Sequence, residues 1–418
     1  MTANRVVGAL QGRSTPAPLV PVAAEPAGEI RPAAAAEATG IPMPPAAPDL
    51  SRELPRDVAL LKVIAVDDAP DRYRFRLEGY FRGRLWSSTE SDEKAHLRPG
   101  LAMDDALTAD SEAALEAAVE YYEFIMGWSA TKHGLGNWLR GLRAAEPAGV
   151  RLIIWDDTDT GLPWELYRLV DGAAHRWLGE TFPVTRWTTI HDPDRHGQFS
   201  ASGEPVRSGG GILCFEDGEL VAGAGLSITS VAAVSRVDTL VELLRRLDDE
   251  GQRFGLVYVR AHGRHGTDVR SARLGGIPLA RFETLGLRAV HASGSVVLLN
   301  ACNSARPVVD PAMGDRANRN FAEIFLRRRA LAVVATMGEV PTGSSAALAR
   351  SMIARARAGG VRIPEFLQGR RADAARELPA DTLALGPGER EAIQDFLYAS
   401  RYVYFGHPDT LFVLGEPA

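Results

Sequence analysis

One histidine and one cysteine stand out because each follows a short apolar run and precedes a small or polar turn. The run Leu256, Val257, Tyr258, Val259 leads through Arg260 and Ala261 to His262 and Gly263. The run Val296 to Leu299 leads through Asn300 and Ala301 to Cys302 and Asn303. Apolar runs this short, bounded by turn residues, read as strands of a parallel sheet buried on both faces. The carboxyl ends of such strands are where open α/β sheets bind ligands. A thiol and an imidazole delivered there by neighbouring strands form a nucleophile and a base: the thiolate attacks a carbonyl and the imidazole carries the protons. A lone cysteine is more often a small buried apolar residue, and a lone histidine a hydrogen-bonded structural one. It is the matched position of the two that singles them out.

The chemistry assigns Cys302 as nucleophile and His262 as general base and then acid, with the backbone N–H groups of Gly263 and Cys302 as oxyanion hole. Donors aimed at the developing oxyanion contribute roughly 3 to 4 kcal/mol each, and glycine at 263 lets the backbone approach without a Cβ in the way. His265 is the rival base. A metal site of His262, His265 and either His291 or Cys302 is the weaker alternative, because the spacing matches no familiar zinc pattern. No metal and no cofactor are expected.

The segments LVYVRAHG and VVLLNACNSA resemble the His-Gly and Ala-Cys signatures of caspase-fold (clan CD) cysteine peptidases, and more narrowly of the bacterial CHAT domain. Further segments fit in order: Leu162-Pro163-Trp164-Glu165-Leu166, Phe182 to Arg186, Ala330 to Val340, and Phe405-Gly406-His407-Pro408. They span roughly residues 151 to 414. Met337-Gly338 stands where the family often has Leu-Trp, and His407 where it often has Asp. The resemblance implies a caspase-like, mainly parallel sheet with helices on both faces and the same roles for Cys302 and His262. It further implies a latent endopeptidase with a protein substrate and an activating protein partner or sensor, acting in a prokaryotic defence or cell-death pathway. In that family the pocket for the side chain before the cut often follows the first core strand, here Gly211 to Phe215. This places Glu216 and Asp217, with Glu219, at its entrance, suited to an arginine or lysine; a solvated turn explains the same acids. Trp164 is expected to fill core volume and Glu165 to pair with Arg186. A non-catalytic scaffold or adaptor, and a thiol amidase acting on a small molecule, are the competing functions.

The elements around this pair are ordinary for a globular α/β protein. The 418 residues are 45% hydrophobic and 24% charged, with a formal net charge of −6 that argues against nucleic acid as a direct partner. Two cysteines, Cys214 and Cys302, make no disulfide framework, which favours a reducing, cytoplasmic location. No apolar stretch approaches the ~18 residues of a membrane span, and the N-terminus lacks a signal-peptide core, so no membrane association is expected.

Residues 1–50 read as a disordered Ala/Pro-rich tail, 51–150 as an N-terminal α+β region, and 151–418 as the peptidase-like domain. In the α+β region Tyr73, Phe75 and Leu77 alternate with arginines as in a half-buried strand. Helices are expected over 110–128 and 135–145. This region serves either as a recruitment module or as an extension of the sheet. Beyond residue 150, strands are expected at 151–155, 164–167, 211–215 and 331–336. Helices are expected through Val237 to Leu247, at 317–329 and at 344–358, with a loop at 191–210 and Cys214 packed inside its strand.

Overall fold

The runs buried at every position include Phe254–Arg260 (FGLVYVR), Val296–Asn300 (VVLLN), Ala332–Thr336 (AVVAT) and Tyr402–Gly406 (YVYFG). Burial on both faces is the condition of a central strand covered by helices on each side, and β-branched and aromatic side chains suit it. In the computed structural model they lie side by side within a 12-stranded sheet. The structure describes residues 56–66, 69–81, 84–88, 96–97, 112–146, 148–156, 158, 161–171, 174–188, 190–192, 195–197, 207–208, 210–224, 227–309 and 318–414.

The sheet strands in chain order are β1 (Val58–Val66), β2 (Ala69–Phe81), β3 (Arg84–Ser88), β4 (His96–Leu97), β5 (Arg151–Asp156), β6 (Val184–Trp187) and β7 (Gly211–Glu216), followed by β8 (Ser235–Val237), β9 (Phe254–Arg260), β10 (Val296–Asn300), β11 (Ala332–Thr336) and β12 (Tyr402–Gly406). Their spatial order is β8-β7-β9-β10-β11-β12-β6-β5-β1-β2-β3, with β4 beside β2. The pairs from β8 to β11 and from β12 to β1 are parallel. Only β11 with β12, and β2 with β1, β3 and β4, run antiparallel. The expected mixed α/β fold with a mainly parallel sheet is thus present.

The longer helices are α1 (Glu112–Ala130), α2 (His133–Ala145), α3 (Leu240–Leu247), α4 (Phe321–Arg327), α5 (Thr342–Ala358), α6 (Ile363–Ala375) and α7 (Pro387–Ser400). Strand periodicity decides what each covers. In β9 and β10, Val257, Val259, Val297 and Leu299 pack with α3 and α4, while Leu256, Tyr258, Val296 and Leu298 pack with α5 and α6. Further along, Ala59, Leu61, Leu152 and Ile154 pack under α1 and α2. The strands before residue 151 belong to this same sheet, since β1 pairs in register with β5 from Val58 opposite Arg151. Cys214 is buried inside β7. The tail expected at 1–50 lies outside the described residues.

Four local expectations are corrected. Residues 164–167 are not a strand: Trp164–Leu166 is a single 3-10 turn, and extended chain resumes at Arg168. The turn points two side chains inward, Trp164 Nε1 donating to Asp156 Oδ2 at 2.8 Å and Glu165 meeting Arg186. Val237 belongs to strand β8, because Thr239 caps α3 by accepting the Glu242 N–H at 3.1 Å. Likewise α4 starts only at Phe321, where Asn320 Oδ1 accepts the Glu323 N–H at 2.8 Å. Of the loop expected at 191–210, residues 190–192 pair with 195–197 as a short ribbon.

Arg186 grips Glu165 through Nε at 2.9 Å and through Nη2, which also donates to the Leu162 carbonyl at 3.0 Å. Both residues are buried. Burial pushes the Glu165 carboxyl up, but Arg186 and then Arg371 outweigh it and hold the group below the usual carboxylate range. A depressed carboxyl contributes stability above its unfolded pKa and loses it as pH falls through the folded value. Glu165→Ala strands a buried guanidinium, so urea titration at neutral pH should show a loss of about 3 to 5 kcal/mol. In the intact chain the contribution of this pair should shrink below about pH 4; an unchanged midpoint in the variant would contradict it.

Candidate active site

The register of β9 with β10 places the two candidate residues. Arg260 lies opposite Asn300, and His262 and Cys302 each follow two residues later. Adjacent strands lie about 4.8 Å apart, so the imidazole-bearing and thiol-bearing turns leave the sheet side by side. On the histidine side Gly263–Arg264 pairs with Arg273–Leu274, and the His262 carbonyl accepts the Gly275 N–H at 2.8 Å. The His262 ring is exposed.

The cysteine turn is bolted to the end of β11. Thr336 Oγ1 donates to the Ala301 carbonyl at 2.6 Å, the Ala305 N–H donates to the Thr336 carbonyl at 2.8 Å, and the Thr336 N–H donates to Ser304 Oγ at 3.1 Å. Asn303 takes a left-handed φ of 58°, which asparagine tolerates better than most residues, and its N–H reaches the Gly338 carbonyl at 3.1 Å. Gly263 packs directly on the cysteine: a Cβ there would overlap the Cys302 carbonyl oxygen and lie 3.0 Å from its amide nitrogen. Below, Asn300 Nδ2 donates to the Tyr258 hydroxyl at 3.0 Å, and Tyr402 donates to Asn300 Oδ1 at 2.7 Å, tying β9, β10 and β12 together.

The thiol is half-buried. Burial pushes its pKa up and the Glu339 carboxylate adds to that, while the Val340 N–H hydrogen bond and the Arg401 guanidinium pull the other way. Among the described residues no hydrogen bond joins His262 to Cys302. His265 is half-buried, and desolvation holds its imidazole below the usual range. His291 sits on another element, the short helix Arg288–Ser293, with Nε2 at 2.8 Å from Arg329 Nη1. Among the described residues no group of three or more His, Cys, Asp or Glu is placed to hold a metal ion.

The acids expected at the pocket entrance are placed differently. Glu216 lies opposite Arg260 in the β7–β9 ladder, is buried, and faces Arg260 Nη1 at 3.5 Å while Ser227 donates to its other oxygen. Arg260 in turn donates to the Leu220 and Thr342 carbonyls at 2.9 and 3.3 Å. The charge of Glu216 is therefore matched inside the sheet end and is not presented to a ligand. Asp217 Oδ1 accepts the Glu219 N–H at 3.0 Å, an Asx turn that opens the helix Gly218–Ala224. The acid whose charge reaches the thiol is Glu339, on the loop after β11. Sequence reasoning missed it although it lies within the Ala330 to Val340 segment, because nothing local says that this loop folds over Cys302.

No family model matches this sequence, and no curated protein matches it either. The solved structures it is similar to include two chains, each from a crystal structure of the Saccharomyces cerevisiae separase-securin complex, with TM-scores of 0.44 and 0.43 at 8% and 9% identity. The likeness covers 88% and 87% of this chain but only 31% and 30% of those chains, so the chain spans under a third of their length. Among the described residues no helix is long and apolar enough to cross a membrane.

A raised thiol pKa makes a testable pH profile. Alkylation of Cys302 by iodoacetamide, read by peptide mass spectrometry, should climb with pH and reach half its limit above the ~8.5 of a free cysteine. A plateau already present near neutrality would show a preformed thiolate and contradict this geometry. Gly263→Ala should destabilise the chain by at least about 1 to 3 kcal/mol, the range for overpacking a filled site. An unchanged melting temperature would mean that the two backbones do not meet.

Proposed function

We propose that this chain is a caspase-fold cysteine endopeptidase of the CHAT type, latent until a partner protein or sensor activates it in a prokaryotic defence or cell-death pathway. The observation that carries the reading is the in-register pairing of β9 with β10, which sets His262 and Cys302 at equivalent positions beyond adjacent strand ends. His262 takes the thiol proton, the thiolate attacks the scissile carbonyl carbon, and the oxyanion is met by the N–H groups of Gly263 and Cys302. The imidazolium then protonates the leaving amine, and water deprotonated by His262 hydrolyses the thioester.

Latency is supported by the same site. A thiol kept protonated by burial, with no hydrogen bond to the imidazole among the described residues, is a weak nucleophile. A cation seated against Glu339, such as the substrate's own arginine or lysine, would offset that carboxylate and ease loss of the thiol proton to His262. Glu339 takes the specificity role first sought in Glu216 and Asp217: a carboxylate beside the nucleophile suits an arginine or lysine before the cut. Both cysteines are free thiols, in keeping with a reducing cytoplasm.

The direct test is turnover of fluorogenic peptides varied at the residue before the cut, with the activating partner co-purified where the isolated chain is silent. Cys302→Ala and His262→Ala should each lower kcat/KM by about a thousandfold or more. Glu339→Gln should cut the preference for arginine and lysine about tenfold while leaving cleavage after neutral residues. Turnover that survives Cys302→Ala would overturn the reading, and an unchanged preference in Glu339→Gln would remove that residue from the pocket.

A further inference from the structure

Outside the dyad, α5, α6 and α7 leave a cleft of about 490 Å³ that begins at Val340 and runs between α6 and α7. That volume is in the range of dedicated ligand sites. The buried rings of Tyr398 and Tyr402 contribute to its lining. Asp373 and Glu377 from α6 and Glu391 and Asp395 from α7 add four carboxylates, against the single guanidinium of Arg370. Each helix thus carries a like-charge pair at i,i+4, a spacing that destabilises a helix unless something neutralises it. On α3 a single acid, Glu242, meets both Arg245 and Arg246. In the cleft Asp373 has an exposed partner in Arg376, but among the described residues no ion pair reaches Glu377, Glu391 or Asp395. Burial, and then the neighbouring Glu391, push the Asp395 carboxyl above its usual range.

We propose that this cleft binds a basic polypeptide segment, its arginine or lysine side chains on the four carboxylates and the apolar side chains between them against the lining around Ala374 and Ala392. Carboxylates bordering an apolar floor take both parts of such a segment, the charged head and its hydrocarbon stem. That the ligand is a polypeptide and not a small cation rests on the endopeptidase reading. Two lining residues also border the nucleophile's surroundings: Val340, whose N–H helps lower the Cys302 thiol's pKa, and Tyr402, whose hydroxyl bonds Asn300 two residues before it.

The test is binding of a fluorescein-labelled Leu-Arg-Leu-Arg-Leu-Arg peptide to the full chain carrying Cys302→Ala, followed by anisotropy at about 0.15 M salt. Adding Glu391→Gln and Asp395→Asn should weaken binding about tenfold, and adding Asp373→Asn and Glu377→Gln should weaken it similarly. Neutralising two exposed acids on α1 by Glu120→Gln and Glu123→Gln should change it less than twofold. No binding, equal weakening by the α1 pair, or no weakening by either cleft pair would overturn the proposal. Because the nucleophile is absent throughout, a failure here leaves the dyad reading standing, and the two failures are told apart.

Discussion

Everything at the candidate site depends on the register of two parallel strands. Side chains in a strand alternate between faces, so a slip of one residue between β9 and β10 would swap the helix layer that every side chain in one of them meets. The in-register pairing of Leu256 with Val296 through Arg260 with Asn300 is enforced by apolar side chains on both faces. Just beyond its last pair, the backbones of Gly263 and Cys302 come into contact closer than any side chain at 263 would allow. The sheet core thus fixes where the imidazole and thiol emerge, and the glycine fixes how near their turns lie.

Buried polar groups reinforce that register from below. Asn300 is held between Tyr258 and Tyr402, and Glu216 faces Arg260 one strand over, so the row beneath the site is polar yet partnered. In a low-dielectric interior an unpartnered group of this kind costs several kcal/mol, so misregistered alternatives that separate these partners are disfavoured. Glu165 and Arg186 do the same where β6 joins β12. These pairs position the site without being exposed to a ligand, which is why Glu216 does not serve as a pocket acid. The charge that does reach the thiol comes from Glu339, on a loop whose own backbone caps the sulfur.

Much of this was legible in the sequence. The runs ending at His262 and Cys302 could be read as buried strands because they are short, apolar and bounded by turn residues. The pairing of Glu165 with Arg186 followed from a signature segment. Period-two alternation marked Tyr73, Phe75 and Leu77, all buried in β2. What local patterns could not carry was tertiary. Trp164 and Glu165 look like strand residues until Asp156 and Arg186 draw them into a turn. Glu216 looks available until Arg260 is seen opposite it. Glu339 and the cleft carboxylates gain meaning only once a loop and two helices separated in sequence are brought beside Cys302.

The claim at the centre of this account is that Cys302 is a nucleophile served by His262. Incubation with a peptidyl arginine acyloxymethyl ketone, with the activating partner co-purified where the isolated chain is silent, followed by intact-mass and peptide mapping, tests it directly, because the reagent must be attacked at its carbonyl by a positioned thiol before it is trapped. The account predicts a single adduct on Cys302, with none on buried Cys214, and labelling at least about tenfold slower in His262→Ala. Labelling at an equal rate without the imidazole, or an adduct elsewhere, would contradict it.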